Sequence, residues 1–92
     1  MAKDNWTFLS NHGHVLIYIS QEPEARISEI AKSVGITERR TQGIISDLEA
    51  AGYLEVVRVG RRNTYLIKKN LRFRHPAEAH RSIGSLIKIF SK

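Results

Sequence analysis

The most constraining feature of the sequence is a glycine-centred turn between two short runs of helical periodicity. Ser28 precedes a run in which Ile30, Ala31 and Val34 recur at helical spacing, and Gly35 follows at the position where a helix exit takes left-handed backbone. Ile36 comes next. Thr37 is then the predicted N-cap of a further helix, with Glu38 in its first turn, where the helix dipole favours a carboxylate. Thr41, Ile44, Ile45, Leu48 and Ala51 form the apolar stripe of that helix, and Gly52 stops it. A Gly-Ile-Thr connection is too short to let the two helices separate, so they must pack on each other with Ile36 as the apolar plug. This layout is a helix-turn-helix.

An earlier helix is predicted from about Ser10 to Gln21, with Ser10 as N-cap and Val15, Leu16 and Ile19 on one face. Glu22-Pro23-Glu24 ends it, because proline pushes the residue before it out of helical backbone. Arg26-Ile27 reads as a short extended stub, with Ser28 capping the second helix.

After Gly52 the period changes from 3.6 to 2. Leu54 to Val59 and Thr64 to Ile67 are β-branched and apolar, and Gly60-Arg61-Arg62-Asn63 lies between them, where a hairpin needs positive φ. Asn70 to His75 reads as a linker, and Pro76 as the start of a last helix with Ala79, Ile83, Leu86, Ile87 and Phe90 on one stripe. The predicted fold class is α+β, mainly α. A three-helix core carries a two-stranded β-wing, in a domain over 1–75, and an amphipathic C-terminal helix follows over 76–92.

With 92 residues the chain makes one small domain with a modest core. Its net charge of +6 is unevenly distributed: Met1 to Val57 holds five basic and eight acidic residues, Arg58 to Lys92 ten basic residues and Glu78 alone. Lysine and arginine clustered in this way suit a polyanion, since each contact with a phosphate releases condensed counterions. No cysteine is present, which removes disulfides, thiolate zinc sites and cysteine nucleophiles. The longest apolar run, Val15 to Ile19, is far below the ~20 residues of a membrane span. Asp4 and Asn5 stand where a signal peptide needs a basic, then apolar, start, so a cytoplasmic protein is expected.

Ile30 to Arg39, Asp47 to Leu54 and the tip Gly60-Arg61-Arg62-Asn63, in this order and spacing, resemble small bacterial and archaeal MarR-like winged helix-turn-helix regulators. The similarity covers roughly Asn11 to Ile67. It implies dimeric, sequence-specific binding to duplex DNA and control of transcription.

The residues themselves point the same way. Opposite its apolar stripe the helix after Thr37 carries Arg39, Arg40, Gln42, Gly43 and Ser46. Arginine pairs bidentately with guanine and glutamine with adenine, so these five are the expected base-reading set, with a phosphate as the alternative partner of Arg40. Gly43 costs roughly 1 kcal/mol against alanine in mid-helix; it is read either as clearance for the groove wall or as a tolerated surface glycine. Arg58, Arg61, Arg62, Asn63 and Lys68 on the hairpin, with Ser28 and Thr37 as caps, are the expected backbone contacts. Trp6, Phe8, Ile83, Leu86, Ile87 and Phe90 are the candidate dimer interface, although the last helix could instead pack on its own chain.

A winged helix can also serve as a protein-interaction or RNA-binding module. Apolar residues on the exposed face of the helix after Thr37 would favour that use, and Ile44 is the one candidate. His12 and His14 do not share a helix face, and His75, His80 and Glu78 lack a fixed ligand geometry, so neither a metal nor another cofactor is expected. No catalytic constellation of paired carboxylates, phosphate loop or Ser-His-Asp set is present, and an enzyme is not expected. A chain without long helices at both ends also has little with which to build a roomy effector pocket.

Overall fold

The computed structural model describes residues 6–91, so Lys3, Asp4 and Asn5 lie outside it. The elements in order are α1 (Asn11–Gln21), α2 (Ile27–Val34), α3 (Glu38–Ala50), β1 (Leu54–Val59), β2 (Arg62–Ile67) and α4 (Ile83–Phe90).

Local capping chemistry sets most of these boundaries. The Ser10 hydroxyl accepts from the Gly13 N–H at 3.2 Å, and the Thr37 hydroxyl accepts from the Arg40 N–H at 3.0 Å. Each satisfies a helix-start donor that has no partner within its own helix. Gly35 and Gly52 take φ of 86° and 87°, and the Gly35 N–H closes on the Ala31 carbonyl at 2.8 Å. The start of α2 differs from expectation. Its N-cap is Arg26, two residues before Ser28, and the Glu29 carboxylate accepts from the Arg26 backbone N–H at 2.7 Å. Ser28 therefore sits exposed inside the first turn. The Glu29 carboxylate satisfies the N–H of the N-cap residue itself, the return half of a capping box, while no side chain caps the first-turn donors of α2.

β1 and β2 pair antiparallel, from Leu54 opposite Ile67 to Val59 opposite Arg62. The turn is therefore only Gly60-Arg61, with Gly60 at φ 63° and no non-glycine residue at positive φ among the described residues. A glycine at the first central position is the pattern of a II′ turn, whose twist matches the strands it joins. Asn63 is consequently a strand residue opposite Arg58, and needs no special backbone.

The core gathers Val15, Leu16 and Ile19 from α1, Ile30 from α2, and Ile44, Ile45 and Leu48 from α3. Tyr53, Leu54 and Tyr65 close it from the strand side. Buried Thr41 is satisfied because its hydroxyl donates to the Thr37 carbonyl at 2.9 Å.

The last helix begins at Ile83, seven residues after Pro76. Pro76 instead occupies the second position of a turn closed by the Glu78 N–H on the His75 carbonyl at 2.9 Å, where its fixed φ is equally suited. The chain then runs back beside its own preceding segment. Phe73 N–H donates to Arg81, Ile83 N–H to Leu71 and Gly84 N–H to Lys69, at 3.2, 2.8 and 2.9 Å. These long-range bonds hold Ser82 extended and delay the helix, so Ala79 lies in a turn and not on its stripe. Ile83 and Ile87 are buried in the chain's own core, which removes them from the surface expected to dimerise. Four helices and one two-stranded sheet among the described residues, with the hairpin directly after α3, make a mainly helical winged helix.

Candidate nucleic-acid interface

The exposed face of α3 is polar from Glu38 to Ser46. Arg39, Arg40, Gln42, Gly43 and Ser46 are all exposed, while Thr41, Ile44 and Ile45 turn inward. Ile44, the apolar residue that would have suited a protein-binding face, is 0% exposed. The reason is geometric: it lies three residues from Thr41 and four from Leu48, both on the buried stripe. The described ion pairs involve Asp47, Glu24 and Glu55 as anions, and none of them engages Arg39 or Arg40. Both guanidiniums are available to a ligand.

Two further features of α3 fit contact with a surface. Thr37 uses an oxygen lone pair for the cap and so keeps its O–H proton to donate. A Cβ at Gly43 would meet nothing within 4 Å, so no intramolecular contact accounts for glycine there.

Strand alternation divides the hairpin into two faces. Leu54, Val56 and Arg58 share the inner face with Asn63, Tyr65 and Ile67, while Val57, Val59 and Arg62 lie on the outer one. The inner face is apolar near the core and becomes polar toward the tip, at Arg58 and Asn63. Arg58 and Arg61 are exposed, with no carboxylate partner among the described residues. The other two cations are engaged. Arg62 Nη1 lies 3.6 Å from Glu24 Oε1, and Lys68 Nζ donates to Glu55 Oε1 at 3.1 Å. Both pairs are exposed, and such pairs contribute ~0–1 kcal/mol and yield to a stronger partner.

The structure brings the tip of the hairpin against the start of α2. The Tyr65 N–H donates to the Pro23 carbonyl at 2.9 Å, tying β2 to the α1–α2 connection. A groove of about 540 Å³ there is lined by Glu24, Arg26, Glu29, Arg61, Arg62 and Asn63, among others. Sequence reading missed Glu24 and Arg26 as members of this site. Pro23 between two glutamates signalled only a helix stop, and nothing local shows that residues nearly forty positions apart meet.

The remaining candidates separate. His12 Nε2 pairs with Asp47 Oδ2 at 2.8 Å, bridging α1 to α3, whereas His14 Nε2 meets the Thr7 hydroxyl at 3.2 Å. His75 Nδ1 accepts from the Ala77 N–H at 3.0 Å inside its own turn. Trp6 and Phe8 contact each other edge to face with centroids 5.2 Å apart, and Phe8 is 93% exposed. Leu86 is half-buried and Phe90 is 44% exposed. A partly open groove of about 470 Å³ runs between α1, the end of α3, the Phe73–Glu78 segment and α4. Its apolar lining includes Leu16, Leu48 and Leu86. No described helix is long and apolar enough to cross a membrane.

The chain matches a family model described as winged helix-turn-helix DNA-binding over residues 10–55, half of its length. No curated protein sequence matches it significantly. The matched stretch contains α1, α2, α3 and the first residues of β1, and the hairpin with its cationic tip continues directly from it. From the cap at Ser10 to the strand at Leu54, family pattern and structure coincide, and the chain belongs to the winged helix-turn-helix DNA-binding family.

Proposed function

We propose that this protein is a small MarR-like transcriptional regulator that binds duplex DNA sequence-specifically as a homodimer. In this reading α3 enters the major groove, with Arg39, Arg40, Gln42 and Ser46 at base edges. Thr37, Ser28, Arg58, Arg61, Arg62, Asn63 and Lys68 hold flanking phosphates or reach the minor groove. The observation that carries the proposal is the uninterrupted polar face of α3, whose arginines have no carboxylate partner among the described residues. An α-helix fits the major groove, and its first turns are the part that reaches the bases. Trp6, Phe8, Leu86 and Phe90 remain exposed or half-exposed, and they supply the proposed dimer surface. Burial of Ile44 speaks against the protein-interaction alternative.

Selection of binding sites from random duplexes at two salt concentrations tests this directly. Recovery of a palindromic site with half-sites about 34–36 Å apart supports dimeric, sequence-specific recognition. Enrichment of no sequence overturns it.

Two variants probe separate parts of the interface. Alanine at both Arg61 and Arg62 is expected to weaken selected and random duplexes alike and to flatten the salt dependence by about 0.9 per lost phosphate contact. Lost sequence preference without flattening would place these arginines on bases. Gly43→Ala adds a methyl group into open space and gains up to about 1 kcal/mol of helix propensity. The protein should melt at a higher temperature yet bind the selected duplex more weakly. Unchanged affinity would make Gly43 a tolerated surface glycine.

A further inference from the structure

Glu24 lies in the wrong place for a protein whose hairpin tip holds phosphate. It is 63% exposed and 3.6 Å from Arg62 in the groove where the tip meets the start of α2. Arg26 and Arg61 line the same groove. Glu29, the other carboxylate there, already accepts from the Arg26 backbone N–H. Glu24 is the carboxylate there that pairs with a guanidinium, that of Arg62.

An exposed ion pair of this length adds little to stability. Its consequence lies in what it obstructs. Arg62 cannot serve a DNA phosphate well while it serves Glu24, and a phosphate approaching the groove meets the carboxylate's charge first. The Tyr65–Pro23 hydrogen bond keeps β2 beside the segment that carries Glu24, so the two side chains stay within reach of each other. Sequence-independent binding depends almost wholly on phosphate contacts, so it is the mode most sensitive to such a competitor.

We infer that Glu24 is a built-in competitor of DNA phosphate, occupying Arg62 in the free protein and thereby lowering the affinity for non-specific DNA. The inference rests on the DNA-binding reading above and adds a residue that acts against binding. In the complex the Arg62 guanidinium exchanges the carboxylate for a phosphate oxygen, and no bond is made or broken covalently.

Binding of the intact protein to a random-sequence duplex is measured across a four-fold range of salt for the wild type, Glu24→Gln, Arg62→Ala and the double variant. Thermal melts confirm that each variant folds. Glu24→Gln is expected to bind up to about five-fold more tightly, with the salt slope unchanged, because Arg62 reaches the same phosphate in both complexes. The gain is expected to vanish in the Arg62→Ala background, since the competitor then has nothing to hold. Unchanged affinity in Glu24→Gln overturns the inference. So does an equal gain with and without Arg62, which would reduce Glu24 to one unit of background charge. A wild type that binds neither random nor selected duplex refutes the DNA-binding reading itself, a different result from a binding protein indifferent to Glu24.

Discussion

Replacing Arg39 with alanine is expected to weaken binding to the selected duplex by about 1–3 kcal/mol, roughly 5–150-fold, while random duplexes lose far less. Arg39 stands in the first turn of α3, exposed and without a carboxylate partner among the described residues. Its loss therefore costs the protein none of the described ion pairs, and thermal stability should be unchanged. Titration of both duplexes at one salt concentration reads the difference. The preferred base at one position of the site should also become degenerate. An equal loss on both duplexes would mean that Arg39 holds a phosphate. The base-reading role would then pass to Gln42 and Ser46.

The second large effect concerns stability. An alanine Cβ at position 84 would lie 2.8 Å from the Lys69 carbonyl oxygen and 3.2 Å from the Lys69 Cβ. In an exposed helix the change from glycine gains ~1 kcal/mol, which alone would stabilise the protein. Here the collision is with backbone, which the Gly84 N–H to Lys69 hydrogen bond of 2.9 Å pins in place. Overpacking of this kind costs roughly 1–3 kcal/mol and should outweigh the propensity gain. For a chain of this size each net 1 kcal/mol lowers the melting temperature by about 4–8 °C. Thermal unfolding of Gly84→Ala followed by circular dichroism checks the sign. A raised melting temperature would show that α4 shifts freely over the segment before it. Truncating the Lys69 side chain should not rescue the variant, because the 2.8 Å contact is with the main chain.

These two positions differ in how far they can be read from sequence. Arg39 was legible because a polar face opposite an apolar stripe follows from helical period alone, and the stripe of Thr41, Ile44, Ile45 and Leu48 is dense enough to set the helix's rotation. Gly84 carried no signal. In the sequence it is a glycine near the start of an amphipathic stretch, and its close approach to Lys69 exists only once the chain has doubled back.

The same division runs through the whole molecule. Caps and breakers act over three or four residues, so Ser10, Gly35, Thr37 and Gly52 marked their boundaries correctly from local chemistry. The order of helices, tight turn and hairpin came with them, because a short connection leaves few arrangements. Where two local solutions compete, tertiary contacts choose. The N-cap of α2 fell on Arg26 and not on Ser28, with the Glu29 carboxylate on the Arg26 N–H, and the bonds from residues 69–73 to residues 81–84 held back a helix that Pro76 could have started. The burial of Ile83 and Ile87 in their own chain, and the meeting of Arg62 with Glu24, were likewise decided by tertiary structure alone. Local hydrogen bonds and period are written in adjacent residues, whereas the partner of a side chain across the fold depends on where the rest of the chain has gone.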